Sequence, residues 1–316
     1  MLRAVVVQRA PVFGDRAATL ELAVAALDEA AAAGAQLVVL PEHFVPGYPA
    51  WIWRLRPGSD ARLLERLYTR WRDNAVDLDD AQSLAPLTQA ARQHGLTVVC
   101  GLAEIDRRVS RGTLYNTVVV IGPDGTVLNR HRKLMPTNPE RMLWGNGDAT
   151  GLRVVDTPCG RIGTLICWEN YMPLARAALY AQGVEILVAP TYDAGPVWLA
   201  TTQHIAREGG CWVLGNGSAF RGSDMPRDLP CAAELYEADG AAWVNDGDSV
   251  IAAPGGKIMA GPLHQAFGLV CAEIDLARVG LARRSLDVAG HYARSDIFQL
   301  RVNARAMPPA EFTRDA

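Results

Sequence analysis

Strand-like and helix-like hydrophobic patterns alternate along the N-terminal part of the chain. RAVVVQ has the consecutive apolar residues of a buried strand, and ATLELAVAALDEAAAAGA repeats apolar residues with helical spacing up to Gly34. Leu20, Val24 and Leu27 would share one face of this helix. QLVVLPE is a short apolar run, typical of a central strand buried on both faces. This order predicts two strands joined by a crossover helix.

The middle of the chain adds helices and then strands joined by turns. DARLLERLYTRWRDNAV and DAQSLAPLTQAARQHG predict two helices, and LTVVCGLAEID predicts a strand. In LYNTVVVIGPDGTVLNRHRKL a PDG turn separates two strand patterns, which indicates a β-hairpin. LRVVDTPCGRIGTLICWE predicts a second hairpin, followed by a helix over residues 173–182.

The C-terminal part continues the alternation and ends in a hairpin and a strand. VEILVAPTYD and CWVLGNGSAF predict strands on either side of a helix, WLATTQHIAREGG. Residues 221–247 are polar, contain Pro and Gly, and predict a loop. DSVIAAPGGKIMAGP predicts another hairpin and GLVCAEID a last strand, after which the sequence is less regular and rich in arginine.

These elements together predict an α/β fold. Early strands with crossover helices and later strands in hairpins fit a mixed sheet, or a pair of sheets, covered by helices. The sequence contains no internal repeat, no low-complexity tract and no linker. We therefore predict one domain over residues 1–316.

Composition and charge are those of an ordinary globular protein. The 316 residues are 49% hydrophobic and 21% charged, and the net charge is -3. This balance gives no reason to expect nucleic acid or an anionic membrane as a partner. The N-terminus lacks the apolar segment of a signal peptide, and no apolar run is long enough to span a bilayer. We expect a cytoplasmic protein.

The six cysteines do not form a metal-binding pattern. No two of them stand in a C-x-x-C pair, and no Cys/His cluster has zinc-ligand spacing. In a reducing compartment most should be buried thiols that fill the core. Cys167 differs because it lies between a strand pattern and a helix pattern, a corner where the helix field would stabilise a thiolate.

Three strand patterns end in a residue with potential chemistry. Glu42 closes LVVLPE, Lys133 closes LNRHRK and Cys167 closes GTLIC. Ligands of layered α/β proteins gather beyond the carboxyl ends of strands, so one cleft could hold all three residues. There a carboxylate would take the thiol proton, and an ammonium would stabilise negative charge on an unsaturated carbon–nitrogen group. Each residue alone is more often a turn residue, a surface charge or a buried thiol.

The segments around these residues resemble those of the nitrilase superfamily, and of its nitrilase branch in particular. VVLPEHFVPGYP resembles the segment with the general-base glutamate, here Glu42. HRKLMPTNPERMLWGNGD resembles the segment with the catalytic lysine, here Lys133, and with a second glutamate that orients it, here Glu140. ICWENYMPLARAALYAQGVEILVAPTYD resembles the nucleophile segment, here Cys167. HIAREGGCWVLGNG and DVAGHYARSDIF extend the resemblance over nearly the whole chain.

The resemblance implies a four-layer α-β-β-α sandwich of the nitrilase type, with no metal and no organic cofactor. It also implies a homodimer or larger homo-oligomer formed through the outer helices, with residues 281–316 as a C-terminal tail used in oligomerisation. The tail departs from the family pattern GHYxRPD at Ser295, which stands in the proline position.

The activity implied by the resemblance is hydrolysis of a nitrile to the carboxylic acid and ammonia, through a thioimidate and an acyl-thioester on Cys167. The aromatic stretch GYPAWIW would line a pocket for an arylaliphatic or aliphatic nitrile. His43 and His131 flank catalytic positions and are interpreted as structural. Substrate contacts are expected from Tyr48, Trp168, Glu169 and Tyr192.

Other activities in the superfamily use the same three residues. An amidase or carbamoylase would cleave a C–N single bond, and a cyanide dihydratase would act on inorganic cyanide. CWEN and the loop PTxxERxxWGxGD favour the nitrilase. A non-catalytic scaffold is disfavoured because Glu42, Lys133 and Cys167 are all present.

Overall fold

A computed structural model describes residues 1–56, 58–108, 110–230, 232–306 and 310. These residues contain thirteen strands and seven α-helices. The strands are β1 (Leu2–Gln8), β2 (Leu37–Val39), β3 (Thr97–Ile105), β4 (Leu114–Ile121), β5 (Val127–Arg132), β6 (Val155–Thr157), β7 (Gly160–Thr164), β8 (Ile186–Thr191), β9 (Trp212–Gly217), β10 (Ala219–Arg221), β11 (Trp243–Ala252), β12 (Ile258–His264) and β13 (Gly268–Ile274). The helices are α1 (Arg16–Ala32), α2 (Ala61–Asp73), α3 (Ala85–His94), α4 (Pro173–Tyr180), α5 (Pro196–Glu208), α6 (Ala232–Tyr236) and α7 (Ala277–Ser285).

The first sheet has the strand order β13-β1-β2-β3-β4-β5. Strands β1, β2 and β3 are parallel, because helix α1 connects the first two and helices α2 and α3 lie between the second and third. Strands β3, β4 and β5 pair antiparallel, as the PDG turn between the last two predicts. Strand β13 closes the other edge, antiparallel to β1.

The second sheet has the order β10-β11-β9-β8-β7-β6, with β12 paired to β11. Strands β7, β8 and β9 are parallel and are joined by helices α4 and α5. The outer pairs, β6 with β7 and β11 with β9, are antiparallel. The two sheets thus share one plan, a parallel centre with antiparallel edges.

Apolar side chains on both faces of the central strands explain why the sheets stack and why helices cover them. In β1, Val5 faces the helices while Val6 faces the other sheet, as the period of two in a strand requires. Helices α1 and α3 cover the first sheet, and α4 and α5 cover the second. The predicted four-layer α-β-β-α sandwich is therefore confirmed. Buried residues between the sheets include Val6, Val39, Val99, Ile162, Val188 and Leu214.

The loop predicted over residues 221–247 is wrong in part. Helix α6 and the first residues of β11 lie in this segment. Asn and Asp are weak strand formers, so Asn245 and Asp246 conceal the strand in the sequence. Their backbones nevertheless pair with β10, opposite Phe220 and Ala219. Sheet pairing therefore overrides the local preference of these residues.

Candidate active site

Glu42, Lys133 and Cys167 come together at the carboxyl ends of three strands. Glu42 follows β2 and Lys133 follows β5, both in the first sheet, while Cys167 follows β7 in the second. Lys133 Nζ lies 3.1 Å from Glu42 Oε1. The thiol of Cys167 interacts electrostatically with both groups. All three side chains are buried, so the site lies at the bottom of the cleft between the sheets.

The carboxylate of Glu42 is fixed by three hydrogen bonds. Oε1 accepts bonds from Asn116 Nδ2 at 2.7 Å and from Lys133 Nζ at 3.1 Å, and Oε2 accepts one from the backbone N–H of Tyr192 at 2.6 Å. Burial raises the pKa of Glu42 above its ordinary value, and the positive charge of Lys133 opposes this rise. A carboxylate in this setting is a stronger base than one in water, which suits it to receive a proton.

Lys133 is held between two carboxylates. Besides the Glu42 contact, its Nζ donates to Glu140 Oε2 at 2.8 Å. Burial opposes the charge of Lys133, but the charges of Glu42, Cys167 and Glu140 raise its pKa well above the usual value, so the ammonium persists. Glu140 in turn accepts bonds from the Tyr48 hydroxyl and the Thr137 backbone N–H, each at 2.6 Å. Lys133 and Glu140, which the resemblance pairs, are thus in direct contact.

Cys167 begins a short 3₁₀-helix, Cys167–Tyr171, with a φ of 51°. A non-glycine residue in this region costs about 1–3 kcal/mol, and such strain often occurs at functional positions. Burial, and then the charge of Glu42, raises the pKa of the Cys167 thiol to about 12, and Lys133 offsets this only in part. The thiol is therefore protonated at neutral pH.

The helix N-terminus expected to stabilise a thiolate at this corner does not lie beside Cys167. Helix α4 begins only at Pro173, beyond the 3₁₀-helix, so its N-terminus is not at the sulfur. Burial and a neighbouring carboxylate outweigh the single ammonium. The proton must therefore leave the thiol as the sulfur attacks, and Glu42 is the buried carboxylate available to receive it.

Glu169 ties the end of β5 to the Cys167 turn. Its carboxylate accepts bonds from the backbone N–H groups of Leu134 at 2.7 Å and Ile166 at 2.5 Å. His131 Nε2 lies 3.0 Å from the same carboxylate, which agrees with a structural interpretation of this histidine. Glu169 does not line the cavity beside Cys167, so the structure gives it a positioning role instead of the substrate contact expected from the sequence.

His43 is also buried and faces no carboxylate. Its ring packs on Trp144 with centroids 4.6 Å apart, and neither ring nitrogen has a hydrogen-bond partner among the described residues. Burial lowers the pKa of His43 to about 3, so the ring is neutral. A structural role fits these contacts.

A cavity of about 290 Å³ opens above the Cys167 thiol. Tyr48 and Tyr192 stack at 4.0 Å on one wall, and the half-exposed indole of Trp168 forms another, held by a 2.9 Å bond from its Nε1 to Asp193 Oδ2. Three of the four residues expected to contact substrate therefore line this cavity. The remaining lining residues are Trp53, Thr137, Glu140, Cys167, Asp193, Ala194, Val244, Asn245 and Asp246.

Sequence reasoning missed several of these groups. Asn116, which binds Glu42, lies inside the apolar pattern of β4 and carries no local signal of function. Asn245 and Asp246 fall in the segment predicted as a loop. The one signal that could have drawn attention to them is a polar run between apolar residues at the two ends of β11.

The other thiols lie away from this cluster of charges. Cys100, Cys159 and Cys211 are buried and Cys271 is half-buried, while Cys231 lies outside the described residues. Within the described ranges, no three His, Cys, Asp or Glu side chains are grouped so that they could hold a metal ion. In the same ranges, no helix combines the length and apolar character needed to cross a membrane.

Comparison with known proteins gives consistent results at the level of sequence. Residues 3–284 match the sequence model of the carbon-nitrogen hydrolase family. The chain is 40% identical to the bifunctional nitrilase/nitrile hydratase NIT4B of Nicotiana tabacum, over 99% of this chain and 89% of the relative. It is 39% identical to nitrilase 3 of Arabidopsis thaliana, over 98% of this chain and 89% of the relative.

Solved structures show the same fold at lower identity. The C. elegans NitFhit protein matches with a TM-score of 0.71 at 21% identity, covering 98% of this chain and 68% of that one. Nit3 of Saccharomyces cerevisiae, a member of the nitrilase superfamily, matches with a TM-score of 0.70 at 19% identity, covering 92% and 96%. These similarities concern the arrangement of the sheets and helices.

Proposed function

This chain belongs to the carbon-nitrogen hydrolase family, and from that premise we propose that it is a nitrilase, which converts an organic nitrile to the carboxylic acid and ammonia. One observation carries the proposal: the buried thiol of Cys167 lies in the field of a lysine–carboxylate pair, Lys133 and Glu42, 3.1 Å apart. Identity of about 40% with plant nitrilases over nearly the full chain supports a nitrile as the substrate.

In the first step the sulfur of Cys167 attacks the nitrile carbon. The thiol proton passes to Glu42 and from there to the nitrile nitrogen, and the product is a thioimidate. Negative charge develops on the nitrogen during the attack, and the Lys133 ammonium and the Trp168 backbone N–H stabilise it. The raised pKa of Cys167 supports this order, because the proton leaves only when the carbon–sulfur bond forms.

In the later steps Glu42 activates water. The first water adds to the thioimidate carbon and gives a tetrahedral intermediate with one hydroxyl and one amino group. Loss of ammonia, with transfer of the hydroxyl proton to nitrogen, leaves an acyl-thioester on Cys167. A second water then releases the carboxylic acid and restores the thiol. If the tetrahedral intermediate expels the sulfur instead, the product is the amide.

The cavity supports an arylaliphatic or aliphatic substrate. Aromatic rings from Tyr48, Trp53, Trp168 and Tyr192 line it, and its volume of about 290 Å³ suits a small organic molecule. These rings would contact the arm of the substrate while the nitrile reaches the thiol. Glu140 and Glu169 act indirectly, since they position Lys133 and the Cys167 turn.

The decisive test compares the wild type with Cys167→Ala on a panel of arylaliphatic and aliphatic nitriles. Ammonia, acid and amide are measured together. We expect the variant to lose at least about 10³-fold in kcat/KM, because no other group can form the covalent intermediate. Cys271→Ala, which removes a half-buried thiol elsewhere, is the matched control and should retain activity. Equal ammonia release by wild type and Cys167→Ala would rule out the proposed chemistry.

The same panel distinguishes related activities. The tobacco relative's name includes nitrile hydratase, so amide is measured beside acid. Matching amides and inorganic cyanide serve as parallel substrates, and faster turnover of either would point to an amidase or to a cyanide dihydratase.

The proposal also covers the cellular location, the domain composition and the assembly of the protein. We infer a cytoplasmic enzyme that consists of one domain and a tail over residues 281–316, and that assembles into a homodimer or larger homo-oligomer. Free thiols at the five described cysteines support a reducing compartment. Exposed apolar side chains in the tail support a second copy of the chain as its partner.

A further inference from the structure

The charged residues that line the cavity above Cys167 all carry carboxylates. They are Glu140, Asp193 and Asp246, and no lysine, arginine or histidine is among the lining residues that the structure describes. Glu140 is engaged by Lys133. The other two stand above the thiol, where the arm of a substrate would lie.

Two cations close to the cavity, Lys133 and Arg54, have acidic partners. Lys133 binds both Glu42 and Glu140 at its base. Arg54, next to the cavity residue Trp53 and in electrostatic contact with Tyr192, forms an ion pair with Asp239.

Arg221 and His264 also lie near β11. The Arg221 guanidinium stacks on the Trp243 ring at 4.5 Å. His264 approaches Asp246 from β12, but its Nδ1 is bonded to Asp248 at 2.8 Å and its side chain is largely exposed. Lys133, Arg54 and His264 are therefore each paired with a carboxylate other than Asp193 or Asp246.

Asp193 and Asp246 accept hydrogen bonds from neutral donors. Asp193 binds Trp168 Nε1 at 2.9 Å and the Tyr171 hydroxyl at 3.3 Å, and Asp246 Oδ1 binds Gln265 Nε2 at 2.9 Å. Neither carboxylate forms an ion pair with any side chain in the described ranges. The cavity wall thus carries two carboxylates that form no ion pair within the described ranges.

We propose that this cavity selects nitriles by charge: it favours an arm that is cationic, such as a primary amine, over a neutral one, and disfavours an arm that carries a carboxylate. At an effective dielectric constant of about 20, a unit charge about 12 Å from one aspartate already changes binding by about tenfold, and a closer charge changes it more. The acid formed at Cys167 meets the same repulsion, which favours its release. The nitrile part of this inference rests on the proposed function, whereas the charge of the cavity is measurable without turnover.

The first experiment uses the Cys167 thiol as a probe of the cavity. The full-length protein is treated with 2-aminoethyl, 2-hydroxyethyl and 2-sulfonatoethyl methanethiosulfonate, which are cationic, neutral and anionic. Modification of Cys167 is followed by peptide mass spectrometry, and each rate is divided by the rate with N-acetylcysteine. We expect the cationic reagent to exceed the anionic one by at least about tenfold, and this ratio to fall at high salt.

Variants of the two aspartates test whether their charges cause the ratio of cationic to anionic modification rates. Asp193→Asn and Asp246→Asn keep a side-chain oxygen as hydrogen-bond acceptor and should each reduce the ratio several-fold. Asp156→Asn removes one exposed carboxylate on β6, at the opposite edge of the sheet, and should leave the ratio unchanged. Equal normalised rates for the three reagents, no modification by the cationic reagent, or a ratio that neither active-site variant alters would overturn the proposal.

A second experiment compares three phenylacetonitriles with 4-aminomethyl, 4-hydroxymethyl and 4-carboxy groups. The kcat/KM values should fall in that order, and the two aspartate variants should reduce the spread. If none of the three nitriles is hydrolysed, the proposed function fails while the thiol experiment still decides the charge of the cavity. If all three are hydrolysed with equal kcat/KM, the charge selection fails and the nitrilase proposal stands.

Discussion

At the residue scale, a buried thiol and a buried carboxylate interact electrostatically in the candidate site. Burial raises the pKa of both Cys167 and Glu42, and the negative charge of Glu42 raises that of Cys167 further. The lysine moderates both effects but does not reverse the rise at the thiol. The Cys167 thiol is therefore neutral at neutral pH.

The interaction between Glu42 and Cys167 predicts two effects of Glu42→Gln: the Cys167 thiol should ionise more easily, and nitrile turnover should fall. Loss of the carboxylate removes a charge that raises the pKa of Cys167, so its alkylation by iodoacetamide should be faster at each pH. Nitrile turnover should nevertheless fall by about 10²–10⁴-fold, because the proton acceptor is gone. Alkylation rates are compared at each pH up to about pH 11, where the wild-type rate is still rising because its pKa is about 12, and ammonia release measures turnover.

The control for this variant is Glu29→Gln, which removes the charge of an exposed carboxylate on α1. It should change neither the alkylation rates nor turnover. Alkylation rates of Glu42→Gln that match or fall below the wild-type rates would contradict the assigned interaction.

At the element scale, the position of Glu42 depends on how closely β3 approaches the segment after β2. A Cβ added at Gly101 in β3 would lie 2.4 Å from Pro41 O, 2.4 Å from His43 N and 2.8 Å from Glu42 Cα. These atoms are backbone and cannot give way by rotating a side chain. Glycine at this position allows the catalytic segment to lie directly against the strand.

Gly101→Ala should therefore affect both stability and activity. Displacement of the Glu42 segment should cost about 1–3 kcal/mol in the free energy of unfolding, as overpacking does in other cores, and should lower kcat. Urea unfolding and steady-state kinetics provide the measurements. Gly280→Ala in α7 is the matched control, since an added Cβ meets no atom within 4 Å there, and it should stabilise by about 0.5–1 kcal/mol. Full activity in folded Gly101→Ala would count against this dependence.

At the scale of the whole molecule, the four layers bury the catalytic site but leave the tail uncovered. Helix α7 ends at Ser285, and the described residues after it expose large apolar side chains. Phe298 is 75% exposed and Ile297 57%. Contiguous exposed apolar residues usually mark an interaction surface. Residues 307–309 and 311–316 of the predicted tail lie outside the described residues.

Truncation after Ser285 should reduce the size of the assembly in solution, because it removes this apolar surface. Light scattering coupled to size-exclusion chromatography measures the mass, and circular dichroism checks that the truncated protein is folded. Ile297→Ser combined with Phe298→Ser should have the same direction of effect with the full chain retained. An unchanged mass in both variants would show that the tail does not hold the subunits together.

The sequence predicted most of the elements, since hydrophobic periodicity is a local property. The strands that precede Glu42, Lys133 and Cys167, and the helices α1, α4 and α5, lie where their apolar patterns indicate. The segment over residues 221–247 did not follow this rule. Its strand residues Asn245 and Asp246 are polar because they border a cavity, and a pattern read along the chain does not distinguish such a position from a loop.

The sequence by itself determined most strands and helices and the residue types of the site, because strand and helix periods and the residues at strand ends depend on neighbours in the chain. The four-layer arrangement came from the family resemblance and not from these periods. Only the tertiary structure decided the contacts that set the chemistry of the site. Asn116 meets Glu42 across 74 residues, and the carboxylate of Glu42 and the burial of Cys167 together make its thiol neutral. Distance in space and removal of water control these pKa values, and both arise only when the two sheets pack together.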